Sequence, residues 1–233
     1  MHTRSSCTRL CFAVALAIAI AGCKGKPAPP PESVPAPQAA EPSSPPAPDN
    51  RPVIVAFGDS LTAGYGTDTG NSYPDFLERD LNAKGFHYHV VNAGISGNTT
   101  KDGVERLESV ITLKPAVVIV AFGGNDGLRG LPIASTRRNL DQIVSTLERA
   151  GIKVVLGGIT LPPNYGAEYI RQFNQTYVLL ARKYHVPLLP FLLENVYGVA
   201  GSMQPDGIHA TAQGNQQVAR NLLPLLIPLL HKQ

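Results

Sequence analysis

The segment Ala116–Phe122 reads AVVIVAF, seven apolar residues of which four are β-branched. So short and uniform a run is the mark of a strand covered on both faces. Four other segments read as strands: Pro52–Phe57, Tyr88–Asn92, Lys153–Ile159 and Val186–Leu189. Helical segments stand between them. Ser72 caps one that carries Pro74 in its first turn, runs to Lys84 and stops at Gly85. Lys101–Leu113 is a second, halted before Pro115; amphipathic Ile133–Ala150, closed by Gly151, is a third. Ala167–Tyr184 and Thr211–Leu223 follow, and Pro224 is expected to kink or end the last.

Strands alternating with helices of this length imply βαβ units with right-handed crossovers. The expected fold class is therefore α/β, a three-layer α/β/α sandwich on a five-stranded parallel sheet. The flavodoxin-like strand order 2-1-3-4-5 is the commonest choice, although periodicity alone does not derive it.

The first 48 residues differ in kind. Arg4 and Arg9 precede an apolar stretch, Leu10–Ala21, that is of signal-peptide length and shorter than the roughly 20 residues a membrane span needs. It ends in Ile20-Ala21-Gly22-Cys23, which resembles a bacterial lipobox; a plain secretory signal or an uncleaved anchor is the alternative. On the lipobox reading residues 1–22 are a signal peptide and Cys23 carries lipid. Cys7 and Cys11 leave with the signal, so no thiol remains for a disulfide, a zinc site or a nucleophile. Loss of Arg4 and Arg9 leaves 18 basic against 17 acidic side chains, and no basic stripe points to nucleic acid. Pro27–Pro48 holds ten prolines, with Val34 its one aliphatic residue larger than alanine. Such composition cannot bury enough apolar surface to offset ordering entropy. Residues 23–50 are therefore read as an extended tether, whose 22-residue proline-rich part reaches about 70 Å. Residues 51–233 are the domain.

In a parallel sheet the loops after the strands share one rim, where ligands bind. Four loops there carry chemistry: Gly58-Asp59-Ser60-Leu61, Asn92–Asn98, Gly123-Gly124-Asn125-Asp126 and Pro205–His209. Acyl transfer needs a nucleophile, a base that activates it and a group that orients the base. Ser60, His209 and Asp206 supply these, and a spacing of three in a tight turn can point Asp206 and His209 the same way. The oxyanion of a tetrahedral intermediate needs donors fixed beforehand. The backbone N–H groups of Ser60 and Gly97 and the side-chain amide of Asn125 are the candidates.

These four blocks, in this order and spacing, resemble the SGNH hydrolase superfamily, also called GDSL esterases/lipases. The matches are Ser60 in GDSL, Gly97 in the second block, Asn125 in GGND, and Asp206 with His209 in DGIH. Gly123–Gly130 (GGNDGLRG), Leu161–Gly166 (LPPNYG) and Val186–Phe191 (VPLLPF) further resemble the bacterial thioesterase I/lysophospholipase/arylesterase subgroup. The resemblance implies the SGNH hydrolase fold and a serine esterase acting on aryl or acyl esters, lysophospholipids and thioesters. It implies no metal and no organic cofactor. A polysaccharide O-acetylesterase and a non-catalytic tethered binding module are the rival readings. Leu128, Leu131, Leu161, Pro162, Pro163 and Tyr165 are the expected lining of an acyl groove. The expected partners are a small-molecule ester or thioester and, through Cys23, a membrane, with no nucleic acid. The expected molecule is a monomer in the cell envelope. Lys24 after the cysteine favours the outer membrane, facing the periplasm.

The other titratable groups read as structural. Asp59 is expected to fix its own turn and Asp126 to have a local role. His87 and His89 are expected to be exposed strand histidines, and His185 a favourable charge past a helix end.

Overall fold

The computed structural model describes residues 49–232. The signal segment, Cys23 and all but the last two residues of the tether lie outside the described residues. Five parallel strands, β1 (Val53–Gly58), β2 (His89–Gly94), β3 (Val117–Ala121), β4 (Lys153–Gly157) and β5 (Leu188–Leu189), lie in the order β2-β1-β3-β4-β5. This is the three-layer arrangement and strand order expected. Ile54–Phe57 and every residue of β3 are buried, as their uniformly apolar sequences require. On the layers, α2 (Tyr73–Ala83) packs on α8 (Ala212–Leu226), while α6 (Ile133–Arg149) packs on α3 (Thr100–Glu105) and α7 (Ala167–Tyr184). A sheet buried on both faces needs one such group on each.

Register places the site. Gly58 pairs with Gly94 on one side and Ala121 on the other, so β1, β2 and β3 end at one level. A four-residue helix, α1 (Ser60–Ala63), folds directly over these ends. Gly94 permits this, because a Cβ there would collide with the Ala63 backbone.

Several boundaries differ from those expected. The segment 101–113 is two helices, α3 and α4 (Leu107–Ile111), separated by Arg106 at φ −106° and ψ 11°. Periodicity does not register this break, which falls on one residue whose side chain is hydrogen-bonded to residues distant in the sequence. α1 and α5 (Gly124–Leu128) were expected as loops; both are too short to show a helical period. β2 continues to Gly94, and strand 5 shrinks to two residues. Pro224 does not end its helix but lies inside the last turn, which continues to Leu226. The buried side chains of Leu222, Leu223 and Leu226 hold this last turn in place around it.

Candidate active site

Ser60 is the first residue of α1, immediately past β1. Asp59 caps the helix, with Oδ1 accepting from the Leu61 amide at 3.1 Å and its carbonyl accepting from Ala63 at 2.9 Å. Gly64, left-handed at φ 75°, closes the helix. The serine amide therefore sits in a first turn, where N–H groups have no intrahelical acceptor. Asp59 is buried, and that burial pushes its carboxyl up to about 6, against the lowering effect of the Leu61 N–H. It fixes the turn, as expected, and also faces the cavity beside Ser60.

His209 and Asp206 meet through a tight turn. Asp206 Oδ1 accepts from the Ile208 and His209 amides at 2.9 and 3.0 Å. Its other oxygen lies 2.7 Å from His209 Nδ1. A carboxylate there assigns the proton to Nδ1 and leaves Nε2 as acceptor. Nε2 lies 2.8 Å from Ser60 Oγ, across 149 residues of sequence. Partial burial pushes Asp206 up, but the His209 backbone and ring and the Ile208 amide outweigh it and hold the carboxyl at about 2. Gln204 braces the turn: its amide donates to the His209 carbonyl at 2.8 Å, and its side chain donates to Ala210 and Tyr65 carbonyls at 2.8 and 2.7 Å. The Tyr65 ring lies 4.7 Å from the imidazole.

The three oxyanion candidates follow β1, β2 and β3. Gly97 adopts φ 83°, a left-handed conformation that glycine reaches without strain, and its amide makes no hydrogen bond among the described residues. Its carbonyl accepts from Arg129 Nη2 at 2.9 Å. Asn125 stands in the first turn of α5 and donates from Nδ2 to the Asn98 carbonyl at 2.9 Å. One N–H of that amide is thus committed, which fixes the direction of the other. Asp126, beside it, is buried and accepts from the Thr100 amide at 2.8 Å and the Thr100 hydroxyl at 2.5 Å, joining α5 to α3.

Ser60, His209 and Asn125 open on one cavity of about 470 Å³. Its wall includes Leu128, Leu161, Pro162 and Pro163, four of the six expected lining residues. Leu131 and Tyr165 are not part of it. Leu131 lies beyond the Gly130 turn and is exposed, while Tyr165 donates its hydroxyl to the Leu128 carbonyl at 2.9 Å and so braces the wall from behind. Ile159, Phe191, Leu193, Tyr197 and Ile208 also line the cavity and were missed. Ile208 stands in a block already noted at this rim, and Phe191 ends the Val186–Phe191 run noted for its resemblance. Leu193 and Tyr197 lie in an irregular stretch with no period to mark them.

His89 pairs with Glu78 at 3.2 Å and His87 with Asn82 at 3.3 Å, at the opposite end of β2 from this cavity. His185 caps α7 in a left-handed conformation.

A family model described as GDSL-like Lipase/Acylhydrolase family matches residues 56–217. The chain belongs to this family. Esterase TesA of Pseudomonas aeruginosa, a similar curated protein, is 42% identical over 178 residues, covering 76% of this chain and 89% of that one. Thioesterase 1/protease 1/lysophospholipase L1 of Escherichia coli is 38% identical over 179 residues, 76% of this chain and 85% of that one. A crystal structure of TesA superposes with a TM-score of 0.74 at 42% identity, spanning 76% of this chain and 99% of that one. Within the GDSL-like family the matched span includes every rim loop described above, from β1 to the Asp206–His209 turn.

Proposed function

We propose that the domain hydrolyses carboxylic esters through an acyl-Ser60 intermediate, with acyl and aryl esters, lysophospholipids and acyl thioesters as its substrate class. It is a serine ester hydrolase of its family. The observation that carries the roles is the hydrogen-bonded series Ser60–His209–Asp206 opening on an apolar cavity. Ser60 Oγ attacks the acyl carbonyl while His209 Nε2 takes its proton. Asp206 holds the ring in the required tautomer and stabilises the imidazolium that forms. The oxyanion lies against the Ser60 and Gly97 amides and the free N–H of Asn125. His209 then protonates the leaving alcohol or thiol, and water repeats the sequence on the acyl-enzyme. A cavity of about 470 Å³ walled by Leu128, Ile159, Leu161, Phe191 and Leu193 favours acyl chains well beyond acetyl. The names of the two curated relatives support esters and thioesters as substrates. The natural chain is a lipoprotein: Cys23 anchors it to the outer membrane, the tether spaces a monomeric domain into the periplasm, and Lys24 supports that address.

The test is fluorophosphonate labelling together with kcat/KM on p-nitrophenyl esters and acyl thioesters of increasing chain length. Labelling is expected in the wild type and not in Ser60→Ala. The rate is expected to fall on the order of 10⁴-fold in Ser60→Ala and His209→Ala, and roughly 10²–10³-fold in Asn125→Ala. An intact protein that takes no label overturns the reading. Turnover of acetyl esters far faster than octanoyl ones would replace it with an acetylesterase.

A further inference from the structure

Arg106 is the residue at which α3 gives way to α4, and its guanidinium reaches under the catalytic rim. Nη2 donates to the Gly58 carbonyl at 2.7 Å, Nη1 to the Ala93 carbonyl at 2.8 Å, and Nε to Asn98 Oδ1 at 2.8 Å. The group lies over the rings of Phe57 at 4.4 Å and Phe122 at 5.3 Å, both buried. No carboxylate pairs with it among the described residues. Partial burial without such a partner disfavours the charge and lowers its pKa, so the guanidinium is held at a cost. Three fixed donors in one plane are what an arginine supplies and a lysine does not.

The oxygens it binds are not scattered over the core. Gly58 is the last residue of β1, two before Ser60. Ala93 and Asn98 flank the loop that carries Gly97. Asn98 is bonded on both sides: its side chain accepts from Arg106, and its carbonyl accepts from the Asn125 amide. Gly97, Asn98 and Asn125 therefore form one unit, tied to the end of β1 by this guanidinium and by the Ile95 amide, which donates to the same Gly58 carbonyl at 3.2 Å.

We infer that Arg106 is a positioning residue for the oxyanion hole, acting through Asn98 to set the Gly97 N–H and the Asn125 amide against Ser60. This rests on the proposed serine hydrolase mechanism. A misplaced donor weakens the transition state more than the ground state, so the loss falls on kcat rather than KM.

Asn98→Ala is the cleaner test. It cuts one arm and leaves the guanidinium stacked on Phe57 and Phe122 and bonded to two carbonyls. Arg106→Lys is the companion variant, with thermal unfolding recorded for both. Expected for each is a roughly ten- to a hundred-fold fall in kcat on a p-nitrophenyl ester, with KM within about two-fold. In the Asn125→Ala background Asn98→Ala should cost clearly less than it does in the wild type, because one of the two donors it sets is already gone. Wild-type kcat in Asn98→Ala, a change confined to KM, or losses that multiply with Asn125→Ala each overturn the role. If Arg106→Lys fails to fold, Asn98→Ala decides alone. An active wild type with multiplying losses rejects only Arg106, whereas a wild type that neither turns over esters nor takes fluorophosphonate rejects the mechanism as well.

Discussion

Two carboxylates at the catalytic rim are pushed in opposite directions by their surroundings. Asp206 receives three N–H donors in a half-open turn and stays ionised to about 2. Its contribution to folding is present above the ordinary aspartate value and is lost only as pH falls towards 2. Asp59 has one side-chain donor, the Leu61 amide, and is buried, so it holds its proton up to about 6. Here the sign reverses: the folded state binds the proton more tightly than the unfolded one. The resulting stabilisation is full below about 4 and disappears as pH rises to 6. Asp59→Asn keeps an acceptor for the Leu61 amide and removes the titration. The unfolding free energy of the variant relative to wild type should therefore rise by about 2–3 kcal/mol between pH 4 and pH 7, read from urea titrations. A difference that stays flat with pH would mean that Asp59 is not neutralised by its burial.

Among the elements, the short helix α5 joins chemistry to specificity. Its first turn carries Asn125, and its third residue from that end, Asp126, ties it to α3. Gly127 sits against Leu161 so closely that a Cβ would collide with both methyl groups, and Leu161 is part of the acyl-cavity wall. Gly127→Ala should gain helix propensity while forcing Leu161 into the cavity. The expected outcome is a roughly ten-fold loss of kcat/KM on octanoyl and longer esters, with butyryl esters little changed. A parallel loss at every chain length would place the effect on Asn125 instead of the wall. The helices α2, α6, α7 and α8 were legible because each is long enough to repeat its apolar face. α1 and α5 were not, since four or five residues contain barely one turn.

For the molecule as a whole, anchor and chemistry are separable in the proposed arrangement. All catalytic groups lie between Ser60 and His209, and the proposed lipid site is Cys23. Cys23→Ser should shift the protein from the membrane fraction to the soluble one and leave kcat on a short soluble ester unchanged. Membrane retention of that variant would reject lipidation at Cys23 as the anchor. At this scale the sequence by itself determined the layer architecture, because uniformly apolar runs such as Ala116–Phe122 have no stable place except between two helical layers. It also determined the four rim segments and their reactive residue types, three of which directly follow a strand end. The tertiary structure alone decided what those loops do to one another. The 2.8 Å approach of His209 to Ser60, and the hydrogen bonds of Arg106 to the ends of β1 and β2, join residues far apart in the chain. So does the cavity wall, where Leu193 and Tyr197 complete a surface begun by Leu128 and Leu161. Such contacts depend on how strand register and helix packing add up in three dimensions, and a local pattern of residues carries no record of that sum.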